Sequence, residues 1–311
     1  MDLNKKGGVK MYRALSLVLG MVISIVILMN GGLAARYGLY SSVVIIHVMS
    51  FIVIGCILLI RRERVFAKRI SPILYLGGVA GILTILLANY SIQHLSVSAI
   101  LAFGLLGQCV MGLIVDQFGL FGMPHHVITK SKLMGLGIIF LGSIAIIQGF
   151  EAWAAILAIA SGMLIVLSRT INMRLTEESN LYLSTFYNFL FGLLTAILLF
   201  LFQGSAEYDL PVFGVDAFSE QWYIYLGGIL GVAVILGSSM VVNKISSIQM
   251  TVLLFVGQVL SGLAIDFMIL SEFSLQILIG VGIVSIGLGL YIIFEKSSHM
   301  TNKIKSSSKS I

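Results

Sequence analysis

Charged residues are scarce in this sequence. Only 10% of the 311 residues are Asp, Glu, Lys or Arg, whereas 59% are hydrophobic. A soluble domain of average composition carries about 25% charged residues, so the composition excludes a soluble globular fold. The basic residues are scattered between apolar segments, which excludes a nucleic-acid-binding surface as the reason for the net charge of +6. We expect lipid to cover most of this chain.

Proline, cysteine and catalytic groups are also sparse. The chain has 3 prolines and 2 cysteines, and both Cys56 and Cys109 lie inside apolar segments, so no disulfide framework is indicated. A nucleotide-binding P-loop is absent, which argues against ATP-driven transport by this chain alone. An enzyme needs a nucleophile and base, a carboxylate pair or a metal set, and the apolar segments carry none. We therefore expect no enzyme activity, no cofactor and no metal.

Long apolar runs fill the remainder of the chain. A membrane-spanning helix needs about 20 mostly apolar residues. The sequence therefore predicts an all-α integral membrane protein with ten transmembrane helices, over residues 14–34, 41–60, 72–92, 97–115, 133–149, 152–170, 181–202, 222–242, 247–265 and 275–294.

The basic residues predict how these spans are oriented. If the N-terminus is cytoplasmic, every Lys and Arg except Arg36 falls in or next to a cytoplasmic segment, with Arg169 and Arg174 counted at the cytoplasmic end of the sixth span. We expect a multi-pass protein of the cell membrane with both termini in the cytoplasm. Residues 296–311, rich in Ser and Lys, are expected to form a disordered cytoplasmic tail.

An internal repeat divides the chain into two halves. Residues 76–116 align without a gap with residues 226–266, and the matches include Leu-Gly-Gly at 76–78 and 226–228, Gly-Gln at 107–108 and 257–258, and Asp at 116 and 266. Each half holds five predicted helices, an odd number, so the second half must start on the opposite side of the membrane. The sequence thus predicts two inverted five-helix repeats, over residues 1–150 and 151–295.

These motifs carry a resemblance to a known family. The Leu-Gly-Gly at the start of the third helix, the Gly-Gln and Asp around the fourth, the Gly-rich fifth helix and Arg174-Leu175 resemble the YdcZ-type family of the drug/metabolite transporter (DMT) superfamily, present here as a fused pair. The first half departs by having Ala-Ala-Arg at 34–36 where the second has Asn-Met-Arg at 172–174. The resemblance implies transport of a small molecule across the cell membrane, most often export, and does not supply the substrate.

Polar residues in the apolar segments are candidates for a transport site. Gln108 and Gln258 lie midway along matching helices, where an inverted repeat places them near the midplane. A carboxamide donates and accepts hydrogen bonds, which suits a neutral or zwitterionic ligand. The alternative is a hydrogen bond between helices beside a glycine-lined crossing.

Further candidates flank the two glutamines. His47 and Asn188 are expected at similar depth, with His47 either a proton carrier or a neutral ring bonded to a nearby carbonyl. Asn89 and its repeat partner Ser239 line the same cavity or mark helix ends. The other predicted site residues are Asp116 and Asp266, as gates, coupling-ion ligands or boundary carboxylates, and Arg36, which pairs with Asp266 or attracts an anionic ligand.

The function that these features predict is secondary active transport. We expect an exporter of a small polar or amphipathic metabolite that works by alternating access between the two repeats. The alternative is a flippase for a lipid or a lipid-linked headgroup, for which Arg36 would supply a basic group at the cavity mouth. The expected partners are the substrate, membrane lipids and a coupling proton, with no nucleic acid, and the chain is expected to act as a monomer or a homodimer.

Overall fold

The computed structural model describes residues 2–65, 70–122, 130–146, 152–203, 221–242, 244, 247–270, 275–276, 278–290 and 293. Within these residues the secondary structure is helical, without a strand. The predicted tail at 296–311 and most of the predicted connection at 203–221 lie outside the described residues.

Ten α-helices make up the described part of the chain, and each corresponds to one predicted span. Short 3-10 turns precede α3 and α8, at Pro72–Tyr75 and Trp222–Tyr225. The helices are α1 (Asp2–Tyr37), α2 (Leu39–Arg61), α3 (Leu76–Ser91), α4 (Val97–Phe118), α5 (Lys130–Ile146), α6 (Ala152–Glu178), α7 (Leu181–Gln203), α8 (Leu226–Val242), α9 (Ser247–Leu270) and α10 (Leu278–Leu290).

Seven of these helices are long and apolar enough to cross a membrane, namely α1 to α4 and α6 to α8. The other three contain shorter apolar stretches, at Leu133–Ala145, Leu253–Met268 and Leu278–Leu290. The structure is therefore that of an all-α, multi-pass membrane protein.

Helix α6 extends further than the sequence analysis predicted. It ends at Glu178 instead of residue 170, so Arg174 lies inside the helix, as Arg169 does. The helix continues because Ile171 and Leu175, four residues apart on one face, are both buried. The interspersed Ser, Arg, Thr and Asn lower the local hydropathy without interrupting this apolar face.

The helices pack as two groups that each mix helices from both halves of the chain. In the first group, α1 packs against α8 and α9, and α2 packs against α8. In the second group, α6 packs against α3 and α4, and α7 packs against α3. We call these the first bundle (α1, α2, α8, α9) and the second bundle (α3, α4, α6, α7). They meet where α2 packs against α7 and where α4 packs against α9.

Glycines allow the closest approaches inside each bundle. A Cβ atom at Gly162 of α6 would collide with the backbone of Gly104 of α4, 2.7 Å from its carbonyl carbon and 2.9 Å from its Cα. In the first bundle, a Cβ atom at Gly257 of α9 would collide with the carbonyl of Leu17 and lie 3.0 Å from the amide nitrogen of Met21, both in α1. Small residues at such crossings let helix backbones pack closely in lipid.

A second matched contact joins an asparagine to the Leu-Gly-Gly motif of each half. The Oδ1 atom of Asn172 in α6 occupies the space beside Gly77 of α3, and Oδ1 of Asn30 in α1 occupies the space beside Gly227 of α8. Asn172 therefore has Asn30 as its structural counterpart, and not residue 34 as the sequence comparison suggested. The side chain of Asn30 is 6% exposed, and both Oδ1 atoms are buried without a hydrogen-bond partner in the described residues.

Candidate functional site

The two glutamines lie along the interface between α4 and α9. The end of α9 contacts the start of α4, because the carboxylate of Asp266 accepts hydrogen bonds from the backbone N–H groups of Val97 and Ser98, at 3.0 Å each. One turn further, Gly262 of α9 packs against Leu101 of α4. Residue numbers rise in opposite directions along this interface, so α4 and α9 are antiparallel.

This register places Gln108 and Gln258 close in depth. One turn beyond Gly262, Gln258 lies level with Leu105, three residues before Gln108 on α4. At 1.5 Å per residue, the two glutamines differ in depth by about 4.5 Å. Leu105 and Phe255, the residue level with Gln108, belong to one buried cluster. The structure thus brings the two predicted binding residues to the middle of the same helix pair.

The carboxamides of the two glutamines make no hydrogen bond within the described residues. Gln258 is 7% exposed and Gln108 is half-buried. The hydroxyl of Ser24 in α1 donates to the backbone carbonyl of Gln258 at 2.9 Å. This bond joins α1 to the backbone of α9 and does not involve the Gln258 carboxamide. Beside Gln108, a Cβ atom at Gly112 would meet no atom within 4 Å, which means that open space adjoins this face of α4.

His47 lies in the packed interface between α2 and α7. Its side chain is 1% exposed, and Nδ1 lies 3.0 Å from the carbonyl oxygen of Val43. The ring packs against Phe189 at a centroid distance of 5.7 Å and covers Gly192, whose Cβ position lies 2.7 Å from the imidazole Cδ2. Because a carbonyl oxygen can only accept, Nδ1 carries a proton in this contact, and the ring lies among packed side chains.

Asn188 belongs to a polar cluster between α6, α7 and α3. Nδ2 of Asn172 donates to Oδ1 of Asn188 at 2.8 Å and lies 3.3 Å from the hydroxyl of Ser168, which in turn donates to the carbonyl of Gly77 at 2.8 Å. We call Ser168, Asn172 and Asn188 the α6 cluster. The sequence analysis missed Ser168 and Asn172, although their four-residue spacing on α6 was a usable signal.

A set of hydrogen bonds joins the two bundles at the end of α3 and the start of α4. Asn89 donates to the hydroxyl of Ser42 at 3.3 Å, and Gln93 donates to the carbonyl of Gly31 at 3.3 Å. The Asp266 carboxylate completes the set by accepting from the first backbone N–H groups of α4, where the helix dipole favours a negative charge. We call these three contacts the α3–α4 seam.

The other predicted site residues lie elsewhere. Ser239 is half-buried on α8. The Arg36 guanidinium lies over the ring of Tyr37 at 5.6 Å, and Tyr37 shares a hydroxyl–hydroxyl hydrogen bond with Tyr225. Within the described part of the chain no ion pair joins Arg36 to Asp266. The side chain of Asp116 lies outside the described residues.

Arg169 is a charged residue inside one of the helices long and apolar enough to cross a membrane. It lies in α6, nine residues or about 13.5 Å before the end of that helix, and its side chain is partly exposed. Arg174 bonds to the Phe121 carbonyl at 2.7 Å and to Glu177 at 2.6 Å. Arg169 makes no hydrogen bond or ion pair with any described residue. An arginine at the centre of a membrane helix costs about 2.5–3.5 kcal/mol by insertion measurements.

An open pocket of about 460 Å³ lies at the end of α2, between Arg62 and Phe186 of α7. Its wall contains none of the predicted site residues, and its polar lining is confined to Arg62 and Glu63. The candidate site is therefore the α4–α9 interface with the neighbouring face of α6, and not this pocket.

Comparisons with known proteins give a family and a fold. The model of a DMT-type family described as "Putative inner membrane exporter, YdcZ" matches residues 11–145 and 153–290, one match for each half. No curated protein matches the chain. A solved structure titled "Crystal structure of protein" has a TM-score of 0.61 to this chain at 12% identity, covering 94% of this chain and 98% of that one.

The two family matches together span most of the chain, and each covers one of the repeats read from the sequence. An exporter family of the inner membrane agrees with the apolar helices, and it is not an enzyme class. The chain belongs to the YdcZ family of inner membrane exporters and carries two copies of the family unit in tandem.

Proposed function

We propose that this chain is a secondary active exporter of a small polar or amphipathic metabolite, built from two inverted five-helix halves and working by alternating access. The observation that carries the proposal is the direction of α4 and α9. These helices correspond in the internal repeat, yet they run antiparallel against each other. Two repeat units related by inversion have this relationship, which is an architecture of secondary transporters.

The packing supports the same proposal. Each bundle combines helices from both halves, and the Asn–Gly and Gly–backbone contacts of one bundle have counterparts in the other. Because the two bundles are built from equivalent parts, each can take the conformation of the other, and the state with the conformations exchanged has a similar energy. Their relative rocking then opens a central site to one face of the membrane and afterwards to the other.

The substrate site that we propose lies at Gln108 and Gln258. Both carboxamides are free of described hydrogen bonds, they are close in depth, and open space adjoins Gly112 next to Gln108. A carboxamide offers both donors and an acceptor, so this pair suits a polar solute. His47 is assigned a packing role, since it is enclosed between Val43, Phe189 and Gly192.

The α3–α4 seam is the gate that we propose for the outer face. With the N-terminus in the cytoplasm, the turn between α3 and α4 and the end of α9 face outwards. Asn89, Gln93 and Asp266 then close the outer end between the bundles, and their hydrogen bonds must break before the solute is released. Asp266 thus acts as a gate through its hold on the start of α4.

The test compares transport by the wild type and by a Gln108→Ala/Gln258→Ala variant. Cells making each protein at equal membrane abundance are supplied with a panel of metabolites and toxic compounds, and intracellular and extracellular amounts are measured by mass spectrometry. We expect the wild type to lower the intracellular amount of one compound class and the variant to lose this effect. Gln221→Ala, at an exposed position outside the interface, serves as the matched control and retains transport.

Two results would contradict the proposal in different ways. If the double variant exports as well as the wild type, the glutamines are packing residues and the site lies elsewhere. If neither protein moves any soluble compound, the exporter assignment to a small metabolite fails. A fluorescent-lipid scrambling assay on the same membranes then shows whether the substrate is a lipid.

A further inference from the structure

The positive charge of Arg169 has no counter-charge among the described residues, although α6 is one of the helices long and apolar enough to span the membrane. Charged groups inside such helices are rare, and they face a partner or a water-filled cavity. We propose that Arg169 binds an oxyanion group of the exported solute, a carboxylate or a phosphate-type group. This inference rests on the proposed function and names the substrate class.

The position of Arg169 supports a role in the interior of the protein. It lies seven residues, or two turns, after Gly162, and therefore on the face of α6 that packs against α4. The two helices are parallel, because Arg174 near the end of α6 bonds to Phe121, just after the end of α4. Two turns beyond Gly104 on α4 comes Gly112, where the structure leaves open space. Arg169 thus lies on the helix next to α4, at about the level of Gly112 and one turn beyond that of Gln108.

A comparison of the two halves shows that the fold does not require this arginine. Asn172 and Asn30 make equivalent contacts with Gly77 and Gly227, so the residue three positions before each is also equivalent. That residue is Arg169 in α6 and Ile27 in α1. Because α1 packs against α9 as α6 packs against α4, an apolar residue is sufficient for the packing.

Most of the polarity around Arg169 is likewise confined to one half, since Asn172 is the one member of the α6 cluster with a polar counterpart, Asn30. Ser168 corresponds to Val26 by the same alignment. The backbone carbonyl of Asn188 meets the Cβ position of Gly78, and the backbone carbonyl of Ile46 meets the Cβ position of Gly228. Asn188 therefore corresponds to Ile46. Ser168, Arg169 and Asn188 are thus polar or cationic in the second half. The equivalent residues of the first half, Val26, Ile27 and Ile46, are apolar. Such asymmetry between packing equivalents indicates ligand recognition.

The chemistry of the side chain narrows the ligand class. A guanidinium group presents its N–H donors in a planar fork that matches the two oxygens of a carboxylate or a phosphate group. The α6 cluster beside it carries hydroxyl and carboxamide groups but no carboxylate. Among the described side chains, a cationic solute therefore finds no carboxylate in the α6 cluster, whereas an oxyanion finds the Arg169 guanidinium.

The test measures transport into liposomes that contain the purified protein. The substrates are four labelled groups: small carboxylates, phosphate monoesters, uncharged polyols and quaternary amines. We expect the wild type to carry a member of the first two groups. Arg169→Gln lowers that initial rate at least about tenfold, and Arg169→Lys, which keeps the charge but loses the fork, lowers it less. Arg64→Gln, an exposed arginine outside the helices, leaves the rate unchanged.

A second measurement uses only the wild type, so it does not depend on the folding of a variant. We expect benzoate and methylphosphonate to inhibit transport of the carried solute, and uncharged benzamide to leave it unaffected. Equal inhibition by benzoate and benzamide would overturn the inference, as would an Arg169→Gln variant that carries oxyanions at the wild-type rate. If the wild type carries only polyols or amines, the oxyanion site is wrong and the exporter function stands. If it carries nothing, the proposed function itself fails.

Discussion

Replacing Gly162 by alanine tests the packing of α4 against α6. The new Cβ atom would lie 2.7 Å from the carbonyl carbon of Gly104, in addition to colliding with its oxygen. Carbon atoms in favourable contact are about 3.5–4.0 Å apart, so the helices must separate locally by roughly 1 Å. Because the obstacle is backbone and not a flexible side chain, rotamer changes cannot relieve the collision. A separation of 0.5–1 Å beyond contact removes roughly a quarter to a half of the dispersion energy of each atom pair.

We expect Gly162→Ala to lower the free energy of unfolding by about 1–3 kcal/mol, as overpacked cores do. The assay is thermal unfolding of the purified protein in detergent, followed by loss of the monodisperse peak in size-exclusion chromatography. Gly137→Ala in α5 is the control, since its Cβ would meet no atom within 4 Å and the substitution favours the helix by up to about 1 kcal/mol. A Gly162→Ala protein that unfolds at or above the wild-type temperature would refute the close crossing.

Two further substitutions test individual hydrogen bonds. Asp266→Ala removes the acceptor of the first backbone N–H groups of α4 and should cost about 0.5–2 kcal/mol of stability, the range found when a helix cap is replaced by alanine; an unchanged unfolding temperature would show that the seam contact is not formed. Tyr225→Phe removes the partner of the Tyr37 hydroxyl and should cost about 1 kcal/mol. Tyr37→Phe should add little to it, and strictly additive losses in this double-mutant cycle would contradict the bond.

The apolar runs predicted the helices well because lipid imposes a simple rule on composition. All ten runs contain a helix, and most boundaries agree within a few residues. The exceptions are the start of α1, which is Asp2 and not residue 14, and the end of α6, where Ser168, Arg169 and Asn172 lowered the hydropathy that set the predicted end. Ile171 and Leu175 continue the apolar face of α6 at helical spacing beyond the end of the apolar run. The sequence analysis overlooked this spacing. Arg169 lay one residue before the predicted end of this span, so it was counted with the cytoplasmic basic residues and not considered as a site residue.

The relative placement of candidate site residues could be predicted only where the repeat was visible in the sequence. Gln108 and Gln258 belong to the gap-free alignment, and the structure brings them to one interface. The equivalence of Asn30 and Asn172 was missed because the first two helices of each half share few identities and align in a different register from α3 and α4. The partners of Asp266 lie 169 and 168 residues away in the chain, so its contact with α4 depends on the three-dimensional packing.

The central claim is that the two bundles move against each other to expose the site alternately. A disulfide across the α3–α4 seam tests this claim directly. The Cβ position of Gly31 lies 2.6 Å from Cγ2 of Ile92, one bond from its Cβ, so the two Cβ atoms are at most about 4.1 Å apart. That separation suits a disulfide between Gly31→Cys in the first bundle and Ile92→Cys in the second.

Gly32→Cys/Ile224→Cys provides the matched control, with a Cβ separation of 3.8 Å but both residues on the first bundle. Both pairs are made in a background with Cys56→Ser and Cys109→Ala, and transport into liposomes is measured before and after reduction. The account predicts that oxidation stops transport by the Gly31/Ile92 pair, that reduction restores it, and that the control pair transports in both states. Alternating access between the bundles would be contradicted if the fully oxidised Gly31/Ile92 pair transports as fast as the same protein after reduction.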